Sequence, residues 1–394
     1  MRRAATLNRS MGGPYSNREH SSPAASPRPA LSLDPADLFA SDYASARRAF
    51  LRAAETRGAR VTSHPLPCRD AETDRELAID TARLGPAEPA SLLVVSSGTH
   101  GVEGFSGSAL QLLLLAEAPA LELPADMALL LVHAVNPWGF AAGRRVNENN
   151  VDLNRNFLRH PEDHEPRPDY EALYPHLNPE VLDEEHDRRA AQALAAFARA
   201  HGGARIQEVL SVGQHDHPTG LQYGGCAPEP SNLLLRELAR AELRGIPRIA
   251  WIDVHTGLGP WGEAELITEL EPQDPVYARG RAWYGGAFRS TRAGESVSAP
   301  LSGVIESGLT EEADPASEFT PFTAEFGTVT ADRIFWALRA DNWLHHHGTP
   351  DSERAQAIRS ELLEVFRPAD RKWRRALLDV GFEIVRKARA GLAG

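Results

Sequence analysis

The sequence predicts an α/β protein: a central mixed, mostly parallel β-sheet flanked by helices on both faces, in a single domain. Three observations lead there. Short apolar runs alternate with longer amphipathic stretches along most of the chain, the order that arises when crossover helices join strands. The runs themselves, such as Leu92-Leu93-Val94-Val95 and Leu129-Leu130-Leu131-Val132, are apolar at successive positions, as strands are when both faces are covered. Finally, 394 residues of which 42% are hydrophobic can bury one large core, and α/β enzymes of this size are often single units.

Residues 1–33 are rich in Ser, Pro, Arg and Gly without periodicity and read as a disordered N-terminal arm, with Met11 as an alternative start. Residues 34–394 are expected to form the domain. A helix over 42–56 places Tyr43, Ala46, Phe50 and Ala53 on one face. Strands follow at 91–95 and 128–133, with a helix over 105–117 between them. A third strand is expected at 206–212, a fourth at 249–254 and a fifth at 322–329. Helices are expected over 179–200 and 231–243, and two more after Ser352. The acidic, proline-containing insert over 161–187 is expected over or beside a cleft.

Composition excludes several classes. A net charge of -12 gives no electrostatic support to nucleic-acid binding. The basic residues are nearly all Arg, with Lys372 and Lys387 the two lysines. Cys68 and Cys226 form no Cys-x-x-Cys, which argues against a disulfide scaffold or thiolate metal site and for a reduced, cytoplasmic setting. No apolar run approaches membrane-spanning length, and no apolar stretch follows Met1-Arg2-Arg3 as an export signal would require.

The chemistry concentrates at His100-Gly101-Val102-Glu103 and at Val151-Asp152-Leu153-Asn154-Arg155-Asn156-Phe157. An imidazole and a carboxylate three residues apart on a tight turn can grip one cation. His100 stands just past the first strand, where open α/β sheets gather their ligands. Catalytic zinc takes three protein ligands and keeps one position open, and two His with one Glu is a known set. His255, at the end of the 249–254 strand, is the expected third ligand. His133 is its rival, although it lies inside a strand pattern. The Asn154-Arg155 pair offers a planar fork suited to a carboxylate.

These blocks, with Asn136-Pro137-Trp138-Gly139, Arg145-Val146-Asn147, Asp253-Val254-His255 and Thr323-Ala324-Glu325-Phe326-Gly327, resemble the zinc carboxypeptidase (carboxypeptidase A-like) superfamily over roughly residues 90–330. The run Gly101-Val102-Glu103-Gly104-Phe105-Ser106-Gly107-Ser108-Ala109 further resembles a divergent bacterial branch known as a domain of unknown function. The resemblance implies a zinc-carboxypeptidase-like catalytic domain over 34–394 in which His100, Glu103 and His255 hold one zinc ion. It implies that Arg145, with Arg144 as adjacent competitor, polarises the scissile carbonyl. Asn154 and Arg155 would receive a terminal carboxylate, and Glu325 would be the general base. The implied activity is hydrolysis of an amide next to a free carboxylate, in a short peptide or an acylated amino acid. Metallocarboxypeptidase and N-acyl-amino-acid deacylase both fit, and a catalytically silent binding protein is the contrasting class. The oligomeric state stays open. The family's late substrate-facing tyrosine has no clear counterpart here; Tyr284 is the nearest thought.

Other signals carry less. Gly257-Leu258-Gly259-Pro260-Trp261-Gly262 spells a dinucleotide motif, but Pro260 and Trp261 stand where its helix should start. Gly104-Phe105-Ser106-Gly107 lacks the final glycine of a serine-hydrolase elbow. His215-Asp216-His217 could line the cleft or bind a second metal. Imidazolium groups in His345-His346-His347 would suit a helix C-terminus.

Overall fold

Eight strands hydrogen-bond into one sheet in the order β1-β2-β4-β3-β5-β8-β6-β7. They are β1 (Arg60–Arg69), β2 (Glu76–Leu84), β3 (Ser91–Ser97), β4 (Met127–His133), β5 (Arg248–Gly257), β6 (Ala264–Thr268), β7 (Phe288–Ser290) and β8 (Glu318–Gly327). The structure, a computed structural model, describes residue 34 and residues 37–158 and 164–394. The arm expected over residues 1–33 lies outside the described residues, as do 161–163 of the acidic insert.

The four central strands β4, β3, β5 and β8 run parallel, and antiparallel pairing enters at β2–β4, β1–β2 and β8–β6. The mixed, mostly parallel sheet read from the sequence is therefore present, with its parallel part in the middle. Every position of β3 and β4 is buried, which is why those strands read as unbroken apolar runs. On one face Leu92, Val94, Leu130, Ile249 and Trp251 pack with Leu235, Ala239 and Leu243 of helix Pro230–Leu243. The other face carries helices Gly104–Ala116 and Arg371–Ala393. Gly107 sets how closely the first of these approaches: a Cβ there would lie 2.5 Å from Ser97 Cβ, a clash no rotamer change relieves. Among the described residues no helix is long and apolar enough to cross a membrane.

Helix Tyr43–Thr56 starts where expected, capped by Asp42, whose Oδ1 accepts from Ser45 N at 2.8 Å. It buries Tyr43, Ala46, Phe50 and Ala54, so the apolar face ends one residue later than the sequence reading. The strand expected at 206–212 is a helix, Gly203–Ser211. Ile206, Val209 and Leu210 recur at helical spacing and pack with Leu173, Leu177, Leu194 and Phe197 in a satellite cluster away from the sheet. The helix expected from Pro179 starts at Glu184, because Asp183 caps it through Glu185 N and His186 N. The last parallel strand spans Glu318–Gly327, four residues earlier at its start than the 322–329 expected. His133, the rival ligand, stacks on Phe50 and sits 3.1 Å from Ser108 Oγ. Burial pushes its pKa down to about 4, so it is a neutral core residue.

What this architecture does for function is align strand ends. β3 and β5 are in register to Ser97 and Val254, and β5 and β8 continue to Gly257 and Gly327, with His255 opposite Glu325. The chain then leaves β3 into the His100 turn, directly beyond the carboxyl ends of the parallel strands.

Candidate active site

The His100 turn is built by close backbone packing. Gly101 N donates to Arg145 O at 3.0 Å and Val102 N to Arg144 O at 2.8 Å, which ties it to the loop after helix Pro137–Ala142. A Cβ on Gly101 would lie 2.0 Å from the Gly139 carbonyl carbon, so glycine is required for the two loops to meet. Residues 101–103 form one 3-10 turn that carries Glu103 back toward His100.

His100, Glu103 and His255 converge, all buried, with one ligand atom from each within 4.8 Å of the others. His100 Nδ1 is 2.8 Å from Glu103 Oε1, His255 Nδ1 is 3.2 Å from Glu103 Oε2, and the two Nδ1 atoms are 3.1 Å apart. The opposite ring nitrogens face carboxylates: His100 Nε2 is 2.9 Å from Asp152 Oδ1, and His255 Nε2 is 2.6 Å from Asp253 Oδ2. An ionised carboxylate only accepts, so each Nε2 carries a proton and a neutral ring keeps its lone pair on Nδ1. Two lone pairs and a carboxylate then point at one place, which is stable only with protons or a cation between them. The donor set of two imidazoles and one carboxylate, each imidazole backed by a second carboxylate, fits a divalent ion.

The electrostatics agree. Burial alone would raise the Glu103 carboxyl, but His100 and His255 outweigh it and hold it far below the usual range. Burial opposes a charged His255, yet Asp253, backed by Glu103, raises it well above an ordinary histidine. Asp152 is likewise held well below normal, Arg145 and His100 overcoming its burial. Asp253 is fixed in turn by Ser96 Oγ at 2.6 Å and Thr99 Oγ1 at 2.8 Å. Asp152 and Asp253 are the residues whose part the sequence reading missed. Both lay within the quoted motifs, and Asp253-Val254-His255 on a strand puts the two polar side chains on one face.

Arg145 reaches the same cluster. Its Nη1 donates to Glu103 Oε1 at 3.0 Å and its Nε to Asp152 Oδ2 at 3.2 Å. Arg144 turns away, donating from Nε to Asp341 Oδ2 at 3.0 Å and from Nη2 to Asn150 Oδ1 at 3.3 Å. Glu325 is half-buried on the strand beside His255, and its Oε1 accepts from Leu258 N at 2.9 Å. Burial, with Glu103 adding to it, pushes this carboxyl up to about 7.

Asn154 and Arg155 do not present an open fork. Arg155 Nε and Nη2 donate to Ser211 O at 3.0 and 2.6 Å, and Nη1 donates to Asn154 O at 2.8 Å. Asn154 Oδ1 accepts from Ile305 N at 2.9 Å. Tyr284 donates to Ile384 O at 2.9 Å and packs on Phe322, so it belongs to the core. His215 faces Gly225 O at 2.6 Å, and His217 pairs with Glu171 while stacking on Tyr174. Among the described residues neither joins a metal-binding group. His345 and His346 do not become the imidazolium pair envisaged for their helix end: burial, reinforced by Arg144, lowers both, His345 to about 4.

A parallel-centred sheet carries a His-Glu-His cluster at its carboxyl edge, the arrangement that the sequence resemblance implies. The chain belongs to the family described as protein of unknown function (DUF2817), whose model matches residues 39–380. This is the kind of divergent branch that the Gly101–Ala109 run resembles. No curated protein matches the chain. Among solved structures, that of thrombin activatable fibrinolysis inhibitor is similar at 11% identity and a TM-score of 0.50, covering 90% of this chain and 74% of that one. Carboxypeptidase A from Helicoverpa armigera is 12% identical with a TM-score of 0.45, covering 89% and 73%. Succinylglutamate desuccinylase from Chromobacterium violaceum is 17% identical with a TM-score of 0.35, covering 82% and 74%.

Proposed function

We propose that the chain is a zinc-dependent hydrolase that cleaves an amide bond next to a free carboxylate, with metallocarboxypeptidase activity on short peptides as its leading activity. The observation that carries this reading is the convergence of His100, Glu103 and His255, with Glu325 opposite His255 on the neighbouring strand. Zinc held by those three residues would supply Lewis acidity, polarising a carbonyl and making water acidic near neutrality.

The chain's own groups complete the reaction. Glu325 accepts a proton from the attacking water and delivers it to the leaving amine, a role its place opposite His255 on the neighbouring strand supports. Arg145, beside Glu103, offers its guanidinium to the negative charge that develops on the carbonyl oxygen. Asp152 and Asp253 fix the imidazole tautomers, so that both Nδ1 atoms face inward.

Two consequences are measurable. Arg145→Ala is expected to lower kcat by about 10²- to 10³-fold at saturating zinc, read from initial rates with metal content assayed alongside. Asp152→Asn is expected to weaken zinc binding by about 10- to 100-fold, read by competition with a chromogenic chelator, with circular dichroism unchanged.

The reading itself is tested by assaying zinc-loaded protein on short peptides and N-acylated amino acids, each paired with its carboxamide. Hydrolysis of the acids and not of the amides is expected. Turnover confined to acylated single amino acids would move the assignment to an N-acyl-amino-acid deacylase. No turnover of either set, or equal turnover of acids and amides, would overturn the reading.

A further inference from the structure

Arg155, the fork suggested for a substrate carboxylate, spends three of its N–H groups on the carbonyls of Ser211 and Asn154 and is 3% exposed. Another guanidinium in the same region has a donor to spare. Arg144 is 7% exposed, and among the described residues its Nη1 has no hydrogen-bond partner, while Nε and Nη2 are held by Asp341 and Asn150. It lines a narrow cleft together with Arg145, Asn150, Gln222 and Asp341. The cleft has about 20 Å³ of room for a water-sized group, enough for a single oxygen atom.

Gln222 makes the cleft more than a packing defect. Its backbone sits at φ 57°, a left-handed conformation that a non-glycine residue adopts at a cost. The conformation is pinned by Gln214 N, which donates to Gln222 O at 3.0 Å. The Gln222 side-chain Oε1 is buried and also lacks a partner among the described residues. A carboxamide can turn its NH2 toward an anion. The one carboxylate lining the cleft, Asp341, is already bonded to Arg144. Arg145 also lines the cleft while touching Glu103, so the cleft lies one guanidinium away from the metal-binding cluster.

We propose that this cleft receives a carboxylate oxygen of the substrate, with Arg144 Nη1 as its charged donor and the Gln222 amide as its second. The reacting bond would then lie on the Arg145 side of that anchor, beside His100, Glu103 and His255. Its position relative to the bond rests on the hydrolase reading above, whereas carboxylate binding at Arg144 does not. Arg155 becomes the residue that holds the C-terminal end of helix Gly203–Ser211 against the 153–155 turn.

The test titrates zinc-loaded protein with N-acetyl-L-alanine and with N-acetyl-L-alaninamide by calorimetry. The acid is expected to bind about tenfold to a hundredfold tighter, the range of a charged hydrogen bond. Gln222→Glu leaves the Arg144 bonds to Asp341 and Asn150 in place and puts a competing carboxylate into the cleft. The double variant Arg144→Gln with Asp341→Asn removes the cation without leaving a buried unpaired acid. Both are expected to erase the preference for the acid while keeping wild-type Tm and zinc content. A preference that survives in either folded variant would overturn the proposal, since the carboxylate would then be held by the zinc or elsewhere. Should no peptide or acyl amino acid be hydrolysed while the preference still depends on Arg144 and Gln222, the hydrolase reading falls and this site stands.

Discussion

Replacing Glu325 by Gln is expected to reduce hydrolysis by about 10²- to 10⁴-fold, the usual share of a positioned general base, while zinc content stays at the wild-type level. The amide keeps the acceptor for Leu258 N, now at 2.9 Å from Glu325 Oε1, so the strand end is preserved and the proton-accepting function alone is lost. The wild-type pH profile should show the same group. Burial and the charge of Glu103 place the Glu325 pKa at about 7 in the metal-free site. A divalent ion on the adjacent cluster favours the carboxylate and moves it lower. Activity is therefore expected to fall as pH drops through a value below 7, because protonation removes the base. This acid limb should be missing from whatever rate remains in Glu325→Gln. A variant that hydrolyses at the wild-type rate, or that loses its zinc, would remove Glu325 from the chemistry.

Glu103→Gln is expected to have the second large effect. Glu103 is the single anionic member of the cluster, and it also accepts from Thr256 N at 3.0 Å and from Arg145. Glutamine preserves shape and can still accept from Thr256 N, but it withdraws the negative charge. Zinc affinity should fall by more than about 100-fold, beyond the range for residues that only orient ligands, and hydrolysis should fall with it. Equilibrium dialysis against buffered zinc separates this from Asp152→Asn, whose loss should be smaller. If Glu103→Gln bound zinc as tightly as wild type, the ion would be held by other residues.

The legible part of the fold was its parallel centre. β3 and β4 are buried at every position, so their sequence carries the environment directly. Edge strands do not: β1 is exposed or half-buried except at Leu66, and β7 is three residues long, so neither forms an apolar run. The helix Gly203–Ser211 resembles a strand in sequence because Ile206, Val209 and Leu210 serve a local cluster and not the sheet. Over nine residues the two periodicities differ little.

At the site, motif order names His100, Glu103, His255, Arg145 and Glu325, and the fold places these side chains close together. Motif order could not reveal that Ser211, some 56 residues beyond Arg155, supplies the carbonyl that occupies Arg155. Motif spelling favours Arg145 over Arg144 but gives no physical reason for the choice. That distinction comes from the loop bonds of Gly101 and Val102, which aim one guanidinium at Glu103 and the other at Asp341. Hydrogen bonds between distant segments leave no periodic trace in sequence.

Anomalous diffraction at the zinc edge from crystals grown with zinc tests the central claim most directly. One strong peak is predicted, about 2.0–2.2 Å from Nδ1 of His100, Nδ1 of His255 and a Glu103 oxygen, with Asp152 and Asp253 still on the opposite ring nitrogens. An empty position among those three residues at saturating zinc, or a sole peak on other side chains such as His215 and His217, would contradict it.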